Sequence, residues 1–437
     1  MKPNILLIVC DTLRKDVLRQ YGGRANTPNV DELAKEAMVY NNAVAPSPWT
    51  IPTHISMLTG KYPSQHGIHE GAVLDFDDIV SKCNSLNVPN LPSYLSSIGY
   101  LTFGISGNPW VSRYTGLGKS FDSFENVMYM PRWVSGAISD AEHFGPNLRR
   151  IAFSTISKGR LDKLALYAAA WSRKVIGDKL ANYPVDKGAT ATVRRLQRMR
   201  LASPFFGFIN LVEAHEPYGR ESDAAMWEAL LGKSMLPNNQ LQQLKRKYLK
   251  EVEYMDKKLG TIIEILKDRG IYDETLIIIT SDHGQAFGEH GFLYHGRKLY
   301  DEVIEVPLIV KFPHGKKFEE RRGYQSLVNM FGFVRNFIES GNDAPLTSET
   351  AFSESFGFCH KLPVRYGYSS NDISADFKRP RVAILNDSRK IVLSSPGARI
   401  EEFQHPDSTH KPDKKAIRKM AQIYKSMSRS RGIKIWV

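Results

Sequence analysis

Three short apolar runs, each followed within four residues by an acidic or imidazole side chain, constrain this chain more than any other feature of it. Asn4–Cys10 (NILLIVC) leads into Asp11, Phe205–Leu211 (FFGFINL) into His215, and Thr275–Thr280 (TLIIIT) into Ser281-Asp282-His283-Gly284. A strand covered on both faces by helices reads as such a continuous run, without polar alternation. Between the runs the period changes. Leu244, Tyr248, Val252, Met255 and Leu259 keep helical spacing within 241–267, and Arg269-Gly270 closes that helix. Further strands are expected at 98–106 and 306–312, a helix beginning at Thr27 or Asn29, and a short helix after Pro52. Alternating strands and helices predict an α/β fold with a mostly parallel central sheet flanked by helices. In such sheets the active site lies beyond the carboxyl ends of the strands, where Asp11, His215 and Asp282 fall.

After about residue 320 the pattern changes to a helix over 327–338 and short strands near Val382–Leu385 and Lys390–Leu393. This predicts a small C-terminal α+β subdomain, 321–437, following a catalytic domain over 1–320. A chain of 437 residues, 42% hydrophobic, has enough apolar material for one large core and a smaller one. Cys10, Cys83 and Cys359 are too few and too scattered for a disulfide framework or a zinc site. The first apolar run is cut short by Asp11, which argues against a signal peptide, and no window reaches the ~18–20 apolar residues of a membrane span. The expected location is cytoplasmic.

The net charge of +13 is concentrated in two segments. Residues 145–200 hold 13 Lys/Arg against 3 Asp/Glu, and residues 411–437 hold 9 against 1. Such segments serve either as solvated helix faces or as contacts for something anionic. The usual nucleic-acid-binding motifs are absent, so nucleic acid is not an expected partner.

A carboxylate placed directly after a buried strand is costly unless something neutralises it. Asp11, Asp282 and His283 together form a mixed oxygen and nitrogen set suited to Mn²⁺, Zn²⁺ or Mg²⁺. The alternative for each residue singly is a capping Asp or a hydrogen-bonded His.

The segment Trp49-Thr50-Ile51-Pro52-Thr53-His54, followed by Leu58-Thr59-Gly60-Lys61-Tyr62-Pro63, resembles the sulfatase signature of the alkaline-phosphatase superfamily. DTLRKDVLRQYGG at 11–23, TPNVDELAKEA at 27–37, EAHEPYG at 213–219, SDHGQAFGEHG at 281–291 and HGRKLYDEVIEVPLIV at 295–310 resemble further landmarks of that family, in its order. The resemblance is dense over 1–67 and 205–312 and weak over 110–200 and after 320. It implies an alkaline-phosphatase-like sandwich and a metal-dependent hydrolase or transferase acting on a phosphate or sulfate ester. Thr50 is implied as nucleophile and metal ligand, with Asp11, Asp282 and His283 as the other ligands. His215 matches a family His that contacts the transferring group. His295, Arg297 and Lys298 fall near a block that holds a cationic or imidazole contact. His54 stands where the signature has Arg, and Lys61 lies in the same block.

The departures bear on chemistry. Sulfatases convert Cys or Ser at the nucleophile position to formylglycine, an aldehyde that Thr cannot give, so no formylglycine is expected. The second N-terminal Asp of calcium-type members is Thr12 here, and their Asp-Asn pair is Asp282-His283. The site therefore resembles single-metal members with a Thr nucleophile. It implies one divalent ion, Mn²⁺ first, with Zn²⁺, Mg²⁺ or Ca²⁺ as alternatives. Attack by Thr50 Oγ on phosphorus or sulfur, with His215 or His295 protonating the leaving group, is the implied reaction. The competing readings are a sulfuric ester hydrolase without formylglycine and a non-catalytic anion-binding protein. The expected substrate is an anionic ester, glycan- or lipid-linked, with peripheral membrane contact through 145–200.

Overall fold

The computed structural model describes residues 2–69, 76–127, 184–218, 235–319, 322–343 and 346–357, then the strands of a C-terminal sheet and a few residues near them. Residues 145–183 of the basic insertion and almost all of the basic tail lie outside the described residues.

Seven strands form the central sheet: β1 (Asn4–Cys10), β2 (Met38–Tyr40), β3 (Leu101–Ser106), β4 (Ser123–Asn126), β5 (Phe205–Leu211), β6 (Thr275–Thr280) and β7 (Leu308–Lys311), in the spatial order β2-β7-β6-β1-β5-β3-β4. β1 lies between β5 and β6 and runs parallel to both, with Ile8 opposite Ile209 on one side and Ile279 on the other. β3 continues the parallel set from β5 to β4. β7 is antiparallel to its two neighbours. Two strand expectations are shortened by the structure. Ile98–Tyr100 belong to the turn before β3, and β7 begins only after Pro307, which has no N–H to give a ladder.

Alternate residues of β1 enter two separate cores, as the period of a strand requires. Leu6, Ile8 and Cys10 pack with Val252, Met255 and Leu259 of α4 (Asn238–Asp268) and with α1 (Pro28–Glu36) and α3 (Ala189–Arg198). Ile5, Leu7 and Val9 pack with Ile51, Ile55 and Met57 of α2 (Thr50–Thr59), and with Met330, Phe333 and Phe337 of α5 (Met330–Ser340). The sheet is thus covered on both faces, which is why its strands carry no polar alternation. α5 joins the core of the large sheet although it follows residue 320.

The C-terminal sheet comprises β8 (Thr350–Ser355), β9 (Arg381–Asn386), β10 (Arg389–Ser394) and β11 (Arg399–Gln404), all antiparallel neighbours. Glu354 on β8 is fully buried and accepts hydrogen bonds from the Ser64 amide and hydroxyl, each at 2.7 Å. That contact ties the small sheet to the chain just beyond α2.

Candidate active site

Thr50 opens α2. The helix begins two residues before the expected point because Pro52 falls in its first turn, where no amide hydrogen is needed. This puts the Thr50 side chain at the positive end of a ten-residue helix dipole, which favours negative charge on its oxygen. Thr50 Oγ1 lies 3.4 Å from His283 Nε2.

Asp11, Asp282 and His283 each offer a ligand atom within 4.8 Å of the others, and all three side chains are buried. Each carboxylate has one oxygen tied down. Asp11 Oδ2 accepts from Asn108 Nδ2 at 2.6 Å, while Asp282 Oδ1 accepts from the amides of His283 at 2.9 Å and Thr12 at 3.2 Å. The remaining oxygens, Asp11 Oδ1 and Asp282 Oδ2, are buried with no hydrogen-bond partner. His283 Nδ1 donates to the Gly284 carbonyl at 3.0 Å, which leaves the lone pair on Nε2. Two buried orphan carboxylate oxygens and an imidazole lone pair match the donor set of a divalent ion.

Electrostatics points the same way. Burial, then the Asp282 carboxylate, pushes Asp11 up to about 6. Burial pushes Asp282 up to about 7, and burial lowers the basicity of His283. A cation between them removes both penalties.

The supports of these side chains come from neighbouring strand ends. Asn108 lies two residues past β3, and Ser281 Oγ accepts from the Leu13 amide while donating to the His283 carbonyl. Arg14 is buried, paired with Asp16 at 2.7 Å and Glu289 at 2.8 Å, and its Nη1 donates to the Gln285 carbonyl. It fastens the loop after Asp282 to the loop after Asp11. Thr12 has φ 59, a strained conformation for a β-branched residue, stabilised by the Tyr248 hydroxyl donating to its carbonyl at 3.1 Å.

His215 and His295 stand beside this cluster. Their ring centroids are 5.1 Å apart, and His295 lies 4.3 Å from His283. Burial opposes protonation of His215, but Glu216 and Asp11 outweigh it and raise its pKa.

The other expected contacts go elsewhere. His54 is 0% exposed, donating from Nδ1 to the Thr50 carbonyl at 2.8 Å and accepting from Asn210 at Nε2, so it supports Thr50 from beneath and does not face a substrate. Its burial lowers its pKa to about 4. Lys61 follows the far end of α2, about 15 Å along the axis from Thr50 at 1.5 Å per residue. Lys298 pairs with Asp376 at 3.0 Å and Glu401 at 3.7 Å in the C-terminal region, and Arg297 stacks its guanidinium over Phe292 at 4.7 Å. Of the 295–298 block, His295 is the residue whose ring meets His283.

Sequence reasoning did not find Asn108, Gln285 or Glu216. Gln285 and Glu216 sit inside the recognised blocks next to chosen residues. Asn108 follows the apolar strand β3, the same strand-end signal that singled out Asp11.

A mostly parallel sheet with a buried acid–imidazole cluster at its strand ends is the architecture of the alkaline-phosphatase superfamily. The model of the Sulfatase family matches residues 3–335, and the chain belongs to that family. It is 24% identical over 353 residues to mouse iduronate 2-sulfatase, covering 71% of this chain and 59% of that protein. It is 26% identical over 415 residues to the multifunctional alkaline phosphatase superfamily protein PehA of Trinickia caryophylli, covering 79% of this chain and 75% of that one. The phosphonate monoester hydrolase of Agrobacterium radiobacter shares the fold at a TM-score of 0.61 and 18% identity, over 98% of this chain and 95% of that one. A 2-O GAG sulfatase does so at 0.68 and 14%, over 98% and 93%.

Proposed function

We propose that this chain cleaves an anionic phosphoester, a diester or monoester in preference to a sulfate, with Thr50 as nucleophile. The observation that carries the reading is Thr50 Oγ1 at the N-terminus of α2, 3.4 Å from His283 Nε2 and supported from beneath by His54. A threonine cannot be converted to formylglycine, and a hydroxyl nucleophile suits transfer through a phosphothreonine that a second acceptor releases.

Asp11, Asp282 and His283 would hold the divalent ion, which supplies the positive charge that makes the Thr50 hydroxyl acidic near neutral pH. Asn108 and the Thr12 and His283 amides keep the two carboxylates oriented. His54 holds the Thr50 carbonyl and so fixes the start of α2. His215 or His295 gives a proton to the leaving oxygen. Mn²⁺ is the preferred ion. The proposed substrate is glycan- or lipid-linked, in keeping with the excess of Lys/Arg over 145–200. Among the described residues no helix is long and apolar enough to cross a membrane; we retain the cytoplasm as the proposed location.

The test is a side-by-side assay of the Mn²⁺-loaded protein on aryl sulfate, aryl phosphate and bis-aryl phosphate, with Thr50→Ala as control. Phosphodiester turnover that disappears in Thr50→Ala supports the reading. Sulfate turnover that survives in Thr50→Ala overturns it in favour of a sulfuric ester hydrolase, and no turnover of any ester favours an anion-binding protein.

A further inference from the structure

Asn210 is the one polar side chain in the run FFGFINL of β5, and it is fully buried. A buried amide without partners is costly, so its hydrogen bonds must be accounted for. By the period of a strand it shares a face with Phe206 and Phe208, which pack in the core beneath α2. His54 of α2 meets Asn210 there, and meets the Phe208 ring edge-on at 5.9 Å.

The partners of His54 fix its proton. The Thr50 carbonyl can only accept, so His54 Nδ1, 2.8 Å away, carries the hydrogen. The ring is wholly buried, which disfavours a second proton. Nε2 therefore presents a lone pair, and the amide nitrogen of Asn210 donates to it at 3.3 Å. The amide oxygen of Asn210 then faces the Ser106 hydroxyl at 3.4 Å. Ser106 Oγ also lies 3.1 Å from the Asn108 carbonyl and accepts from the Asn108 amide at 3.0 Å. Asn108 in turn holds Asp11. Asn210 thus stands between the start of the helix that carries Thr50 and the anchor of Asp11, and touches neither Thr50 nor Asp11 through its own side chain.

The choice of tautomer matters because Nδ1 faces two oxygens. Besides the Thr50 carbonyl, it lies 3.7 Å from Asp282 Oδ2. In the other tautomer Nδ1 would turn a lone pair toward both, and Nε2–H would meet the amide hydrogens of Asn210. The side-chain tether on the first residue of α2 would be lost.

We propose that Asn210 is a positioning residue for the Thr50 nucleophile: by donating to Nε2 it holds the His54 ring in the Nδ1–H form that pins the Thr50 carbonyl. The proposal rests on the reading of Thr50 as nucleophile.

The experiment uses the full chain and Asn210→Leu, which keeps the volume and loses the donor. Turnover of bis-aryl phosphate by the metal-loaded enzyme should fall about tenfold or more in kcat, with KM within about twofold. The double variant His54→Leu/Asn210→Leu should turn over within about twofold of His54→Leu alone, since Asn210 acts through His54. Nitrogen-15 NMR of the histidine-labelled, metal-stripped chain, with His54→Leu assigning the signal, should show a bare, hydrogen-bonded Nε2 in the wild type. In Asn210→Leu that resonance should shift as its donor is lost, a change that a merely structural role would not produce. Asn210→Asp, which can only accept, should put a proton on Nε2 and serves where Asn210→Leu melts early. A protonated Nε2 in the wild type, full kcat in Asn210→Leu, or additive losses in the double variant overturns the proposal. A wild type that turns over no ester would overturn the reading of Thr50 instead, while the same spectra still decide whether Asn210 sets the His54 proton.

Discussion

Asn108 Nδ2 donates to Asp11 Oδ2 at 2.6 Å and leaves Asp11 Oδ1 without a hydrogen-bond partner, in a side chain clustered with Asp282 and His283. The two residues sit 97 positions apart, yet β3 and β1 end on the same side of one sheet with only β5 between them. Replacing Asn108 by Leu removes the donor and frees the carboxylate to rotate. We expect metal affinity to fall roughly 10–100-fold, with fold and melting temperature of the metal-free protein little changed. Equilibrium dialysis against Mn²⁺ checks it, and an unchanged dissociation constant would count against the orienting role.

The raised pKa values of Asp11 (about 6) and Asp282 (about 7) imply a pH dependence for the metal-free protein. In the unfolded chain both titrate near 3.8, so between about pH 4 and pH 7 the folded state binds more protons than the unfolded one. Stability of the stripped protein must therefore fall as pH rises through that window, and be greatest below it as far as these two groups are concerned. Asp282→Asn should stabilise the stripped protein above pH 7 by on the order of 2 kcal/mol and abolish stabilisation by Mn²⁺. Melting curves at pH 5 and pH 8, with and without Mn²⁺, would show it; a wild type that gains stability with pH when stripped is inconsistent with this site.

Lys187 is buried and donates to the carbonyls of Glu213 and His215, each at 2.7 Å, with Glu251 3.8 Å away. It clamps the loop that carries His215 against the start of α3. Lys187→Met leaves two carbonyls and the buried Glu251 carboxylate without their cation. The expected cost is about 3 kcal/mol of stability and about tenfold or more in turnover, with Lys187→Arg intermediate in both. A stable Lys187→Met with full turnover would rule the clamp out.

Glu354 receives both the amide and the hydroxyl of Ser64 while wholly buried. Glu354→Ala should cost about 2–4 kcal/mol, because two donors lose their acceptor at once. Ser64→Ala, which removes only the hydroxyl, should cost about 1 kcal/mol. Denaturant midpoints with unchanged m-values would confirm the ranking; equal effects would refute it.

Much of this architecture was legible in the chain. β1, β5 and β6 could be read to the residue because a strand with both faces buried must be apolar throughout, and the acidic residues after β1 and β6 stood out because nothing local neutralises them. The substrate contacts were less legible. His54 matched a signature position, but only the fold shows both its nitrogens already bonded to Thr50 and Asn210. Lys298 had the right charge in the right block, yet its partners are Asp376 and Glu401, more than 75 residues away in sequence.

The sequence by itself determined the strand–helix alternation, the family, and that Asp11, Asp282 and His283 stand at strand ends, because hydrophobic period and the cost of an unpaired buried carboxylate are local facts. The tertiary structure alone decided that Lys298 pairs elsewhere, which hydrogen bonds hold the Asp11 and Asp282 carboxylates, and that His215, Glu216 and His295 converge. Those depend on which strand ends become neighbours, and strand order is set by packing across the whole sheet.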